Sequence, residues 1–168
     1  GHGADARAAA RARLGIDADV PLIGCVGRLV ELKNHGLLFE CLPQLAAAHP
    51  DVRVLLVGEG PHEAALRAQA EALGIADRVQ FAGARDDVSA LLPALDVFAL
   101  PSLTEGLSIA LLEACAAGLA IVASEVGGNP EIVRDGVTGR LFASGDGAAL
   151  GALLDGLLGD AEERQRLG

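Results

Sequence analysis

Val97-Phe98-Ala99-Leu100-Pro101-Ser102-Leu103-Thr104-Glu105-Gly106-Leu107-Ser108-Ile109-Ala110-Leu111-Leu112-Glu113-Ala114-Cys115-Ala116-Ala117 holds a strand, a loop and a helix in succession. Val97 to Leu100 is a short apolar run that stops at a proline, as a buried strand does. Gly106 breaks the chain, and a helix is predicted from Ser108 to Ala117. The same succession recurs on both sides. Leu22 to Val26, Val52 to Val57, Val79 to Ala82 and Ala120 to Ala123 read as further strands, and His35 to Ala48, Pro61 to Leu73 and Val88 to Leu95 as helices. Strand alternating with helix predicts a Rossmann-like doubly wound α/β fold, a parallel sheet covered on both faces. Gly139 to Phe142 adds a short edge strand and Ala148 to Leu158 one more helix.

The chain has 168 residues, enough for one domain with its own core. Residues 15–168 read as that domain. Residues 1–14 read as a linker or exposed helix, since Ala4 to Leu14 has helix propensity, no clear apolar face, and a stop at Gly15. The absence of Met and the Gly1-His2-Gly3 start suggest a cloning scar on a piece excised from a longer protein; no signal-peptide core is present.

Hydrophobic residues make up 51%, yet no apolar run approaches the roughly 20 residues that span a bilayer. The composition agrees with a cytoplasmic chain, or with one at the cytoplasmic face of a membrane. A formal net charge of -10 disfavours nucleic acid as a partner, because that binding draws on clustered Lys and Arg. Cys25, Cys41 and Cys115 each lie inside an apolar run and read as buried reduced thiols. His2, His35, His49 and His62 have no metal-ligand spacing, so no metal site is expected. With four Phe and neither Trp nor Tyr, a ligand cannot be stacked on a broad aromatic platform. Recognition falls to backbone, carboxylates and a few cations.

Ligands of open α/β sheets bind outside the carboxyl ends of the strands. The first such loop, Gly27-Arg28-Leu29-Val30-Glu31-Leu32-Lys33, brings two cations to a strand end, behind a glycine that lets backbone approach a ligand. Arg28 and Lys33 there can neutralise a diphosphate, or they are two solvated charges beside a turn. Gly58-Glu59-Gly60-Pro61 is not a dinucleotide fingerprint, because the third glycine of that pattern falls at Glu63, where a carboxylate repels a pyrophosphate. It is a tight turn, with Glu59 free to face a ligand. The N-H groups at the start of the Ser108 helix form an anion site. Glu113 interrupts that helix's apolar run. A buried carboxylate there calls for a protein cation or ligand hydroxyls, unless it reaches solvent.

Glu105 and Glu113, with seven residues between them, taken together with Gly27-Arg28, Lys33, Gly58 to Pro61, Phe81-Ala82-Gly83, Gly127-Gly128 and Glu131, resemble the carboxyl-terminal domain of family 4 retaining glycosyltransferases of the GT-B architecture. The match runs from about Leu14 to Phe142. It implies that Arg28 and Lys33 bind the diphosphate of a UDP- or GDP-linked sugar, helped by the N-H groups of Leu107 and Ser108. Glu113 would take the ribose hydroxyls and Glu105 a hydroxyl of the donor sugar. Gly27, Glu59, Gly60 and Gly83 would border the nucleotide, with Val79 to Arg85 along the base. No cofactor and no metal is implied, since cations and a helix dipole stabilise the departing diphosphate.

The sequence departs from the family at Leu119-Ala120, where Pro is frequent, and at Ser108, where Pro or Gly is frequent, which bears on sugar choice. The resemblance implies an amino-terminal acceptor domain as partner and allows membrane association of the full-length parent. The alternatives are a sugar-nucleotide epimerase of the same architecture and a non-catalytic interaction module.

Overall fold

A computed structural model describes residues 2–168. Its strands are β1 (Leu22–Val26), β2 (Arg53–Val57), β3 (Val79–Gly83), β4 (Val97–Leu100), β5 (Ala120–Ser124) and β6 (Arg140–Phe142). They form one sheet in the order β3-β2-β1-β4-β5-β6, and every pairing is parallel. The expected doubly wound sheet is therefore present. Its helices are α1 (His2–Leu14), α2 (His35–Ala48), α3 (Glu63–Ala72), α4 (Val88–Leu91), α5 (Ile109–Ala116), α6 (Asn129–Ile132), α7 (Gly147–Leu158) and α8 (Ala161–Leu167).

Successive strand residues point to opposite faces, so the apolar runs feed two cores. Ile23, Val54, Leu56, Ala99 and Val122 meet Leu38, Phe39, Leu42 and Leu154 on the α2 and α7 side. Leu22, Leu55, Phe98 and Ile121 meet Leu14, Leu91, Leu95 and Leu111 on the α1 and α5 side. Each fully buried Leu or Phe contributes roughly 1.5–3 kcal/mol. Gly24 leaves the space on this second face that Leu95 fills, for a Cβ there would lie 2.4 Å from both Leu95 methyl carbons.

Three expectations need correction. The helix over residues 2–14 is docked rather than exposed, with Ala10, Arg11 and Leu14 buried. Arg11 is its anchor: it donates to the carbonyls of Ala94 (3.1 Å), Asp17 (2.6 Å), Ala18 (3.1 Å) and Val20 (2.8 Å), and to Asp96 Oδ2 (3.1 Å). A buried cation, rather than an apolar stripe, docks this helix. The helix expected over Val88 to Leu95 is α4 followed by a 3-10 turn at Leu92–Ala94, with Pro93 near the turn's start. Among the thiols, Cys25 and Cys41 are buried but Cys115 is only partly so. Burial pushes Cys25 up to about 12 and, with the Glu40 charge, Cys41 up to about 11.

Candidate nucleotide-sugar site

The strand order reverses between β1 and β4. Connections from β1 run one way across the sheet and those from β4 the other, leaving a crevice outside their carboxyl ends. Glycines let the loops there close on one another. A Cβ on Gly58 would lie 1.9 Å from the Gly27 carbonyl oxygen, and one on Gly60 2.4 Å from that of Leu29. Backbone bonds join these loops, from Gly27 N to Val57 O (2.9 Å) and from Leu29 N to Glu59 O (3.0 Å). Across the crevice, Leu103 N donates to Leu32 O at 2.8 Å. Gly127 and Gly128 hold the far side of the β4 loop, each with backbone of Glu105 or Gly106 where a side chain would stand.

Lys33 and Glu105 meet in this crevice. Lys33 Nζ lies 2.7 Å from Glu105 Oε2, which also accepts from Ser102 Oγ at 2.6 Å. The Glu105 side chain is 6% exposed and that of Lys33 27%, so the pair stands at the floor of the crevice with the ammonium toward its mouth. A 3-10 turn over Glu31–Lys33 presents the lysine, and it ends at Asn34, whose left-handed backbone (φ 54°) starts α2. Just beyond, His35 is buried with Nδ1 unpartnered. Burial, helped by the nearby Lys33 and His62 charges, pushes it down to about 4, so it is neutral at pH 7.

Gly27, Arg28, Glu59, Gly60, Ala84 and Arg85 line an adjoining open groove of about 930 Å³ over the tips of β1, β2 and β3. Arg28 is exposed, and among the described residues it has no side-chain partner, so its guanidinium is available to an anion in the groove. Arg85 instead forms a bidentate pair with Asp87, at 2.9 and 2.8 Å. Gly83 takes positive φ (72°) and accepts from Gly58 N at 2.8 Å, which turns Ala84 and Arg85 toward the groove.

Ser108 is the N-cap of α5, with its Oγ accepting from Leu111 N at 3.1 Å. Among the described residues, the N-H groups of Leu107 and Ser108 donate to no backbone carbonyl. Glu113 is exposed, contrary to its expected burial. Only Leu111 and Ala114 of α5 are buried, while Leu107, Ile109 and Leu112 on the same stretch are open. The apolar run overstated the buried face, so the cost of burying Glu113 does not arise.

The sequence missed Ser102, wholly buried three residues before Glu105; a small hydroxyl beside a strand-ending proline was the only signal. Among the described residues, no three His, Cys, Asp or Glu side chains gather as a metal site, and no helix is long and apolar enough to cross a membrane.

The model of the family described as "Glycosyl transferases group 1" matches residues 6–168. The chain belongs to the glycosyl transferases group 1 family. Within it, the chain is 38% identical to the GDP-mannose-dependent alpha-(1-6)-phosphatidylinositol monomannoside mannosyltransferase of Mycolicibacterium smegmatis, over 98% of this chain and 45% of that protein. It is 41% identical to a D-inositol 3-phosphate glycosyltransferase of a Mycobacterium species, over 90% of this chain and 35% of that protein. The chain thus spans less than half the length of these curated relatives.

Among solved structures, HepE of Anabaena in complex with UDP superposes with a TM-score of 0.90 at 28% identity, over 97% of this chain and 45% of that one. The carboxyl-terminal domain of a group 1 glycosyl transferase, LpcC of Francisella tularensis, shares the fold, with a TM-score of 0.77 at 24% identity over 88% of this chain and 82% of that one. This group 1 domain therefore has the fold of the carboxyl-terminal half of a GT-B enzyme.

Proposed function

We propose that this domain is the donor-binding half of a metal-independent retaining glycosyltransferase of family 4, holding a nucleoside-diphosphate sugar in the crevice between the β1 and β4 loops. The observation that carries this reading is the Lys33–Glu105 pair at 2.7 Å, a cation suited to phosphate against a carboxylate suited to sugar hydroxyls, at the switch point of the sheet. Arg28 and Lys33 bind the diphosphate with the N-H groups of Leu107 and Ser108. The base lies in the groove between Gly27, Glu59, Gly60 and Gly83. Glu113 takes the ribose hydroxyls from the exposed side of α5, and Glu105 takes a hydroxyl of the sugar. As the bond from the anomeric carbon to the diphosphate oxygen breaks and a bond to the acceptor oxygen forms, charge builds on the departing diphosphate, which takes up the proton of the acceptor hydroxyl. Preset cations and N-H dipoles stabilise that charge more than the ground state.

The acceptor would be held by an amino-terminal domain in the full-length enzyme. Relatives more than twice as long support this, and the one from M. smegmatis, named GDP-mannose-dependent, makes GDP-mannose the first donor to test. Calorimetric titration of the chain with UDP, GDP, UDP-glucose and GDP-mannose, with and without EDTA, tests the reading. Saturable binding of one nucleotide with and without its sugar, unchanged by EDTA, is expected. Binding of none would turn the reading toward an interaction module, and a divalent-ion requirement would overturn the metal-free part.

A further inference from the structure

Glu105 Oε2 takes two donors, Lys33 Nζ at 2.7 Å and Ser102 Oγ at 2.6 Å, while Oε1 has no protein donor among the described residues. The two donors differ in what fixes them. Lys33 is a long side chain, 27% exposed, whose Cε would lie 3.8 Å from a Cβ on Gly27, a residue that lines the same groove as Arg28. Ser102 is wholly buried, and its carbonyl accepts from Ser124 Oγ at 2.7 Å. Ser124 and Asn129 are wholly buried too, and Asn129 Nδ2 donates to Ser124 O at 2.9 Å. Two buried side chains, Ser124 at the β5 end and Asn129 at the start of α6, thus fix the backbone that carries Ser102, whose hydroxyl donates to one carboxylate oxygen. A buried hydroxyl on a backbone held in this way is a fixed donor, and it sets the place of the oxygen that accepts from it.

We infer that Ser102 is a positioning residue for sugar recognition, holding Glu105 so that Oε1 faces the sugar hydroxyl. This rests on the donor-site reading above. When the diphosphate arrives, Lys33 turns to the phosphate oxygens, which carry more negative charge than one carboxylate. Ser102 is then the donor that still fixes Glu105. Its contribution appears only when a sugar is attached, because a nucleoside diphosphate alone does not touch Glu105.

The test is calorimetry on wild type, Ser102→Ala and Ser102→Cys with two pairs of probes, UDP and UDP-glucose, and GDP and GDP-mannose. For the pair that wild type binds, Ser102→Ala should weaken the nucleotide sugar by about five- to tenfold, the scale of one net intramolecular hydrogen bond. The matching nucleoside diphosphate should bind within twofold of wild type. Ser102→Cys keeps nearly the same size with a weak donor and should fall between. The ratio of the two affinities within each variant guards against a fold defect, which would lower both together. Equal losses for both ligands, or no loss for either, would overturn the role of Ser102 while leaving the donor site standing. Wild type that binds neither pair would overturn the donor site and this role with it.

Discussion

Gly127 stands so close to Glu105 that a Cβ on it would lie 1.6 Å from the Glu105 carbonyl oxygen, and its φ of 50° is one that side chains rarely adopt. The loop carrying the site glutamate is therefore seated on the β5 loop by backbone contact. Neither loop can shift alone.

Gly127→Ala should accordingly cost much more stability than Gly118→Ala. Gly118 also has positive φ (72°) but nothing within 4 Å of its missing Cβ, so alanine there should cost only the conformational penalty of about 1–2 kcal/mol. The clash at Gly127 adds to that penalty. Urea denaturation of the two variants checks this, and equal losses would mean that the loops are not locked together.

Arg11→Ala removes the donor to four carbonyls and one carboxylate from a buried place, and should cost about 3–5 kcal/mol. Arg7→Ala removes a partner of the same Asp96 from a side chain that is 36% exposed, and should cost about 1 kcal/mol or less. Equal midpoints for the two variants in urea would contradict the docking of α1 through Arg11.

His35 gives the fold a pH dependence of definite sign. In the unfolded chain it takes a proton near 6.5, and in the folded protein only near 4, because burial first and then Lys33 and His62 disfavour its charge. Protons therefore favour unfolding, so this contribution is complete above about pH 6.5 and is lost as pH falls toward 4. Each pH unit in that window removes at most about 1.4 kcal/mol, on the order of 3 kcal/mol in all. The stability of wild type relative to His35→Leu, followed by urea denaturation from pH 7 to 4, should fall through the window. A flat difference would mean that His35 titrates alike in both states.

The strands were legible because four or five apolar residues between turn residues have few other uses in a chain of this length. β1 and β4 fall on the residues expected, and β2, β3 and β5 differ by a single residue at one end. The loops at their carboxyl ends followed from that order, and with them Arg28, Lys33 and Glu105. What escaped was burial that composition disguises. Arg11 is a charged residue doing the work of an apolar one, while Glu113 sits in an apolar run whose neighbours Ile109 and Leu112 face outward. α8 was missed because Ala161–Leu167 buries only Leu167, leaving no apolar period to read. Ser102 has no sequence pattern of its own; its meaning is the 2.6 Å contact with Glu105.

The division of labour between Lys33 and Glu105 is tested most directly by titrating Lys33→Met and Glu105→Gln with a nucleoside diphosphate and with its sugar derivative. Lys33→Met should weaken both ligands by about 1–3 kcal/mol, the scale of a charge-assisted hydrogen bond. Glu105→Gln should weaken only the sugar-bearing ligand, and should leave the nucleoside diphosphate bound no more weakly than to wild type, since Lys33 loses a competing carboxylate. Equal weakening of both ligands by Glu105→Gln, or unchanged diphosphate affinity in Lys33→Met, would contradict the donor site built on this pair.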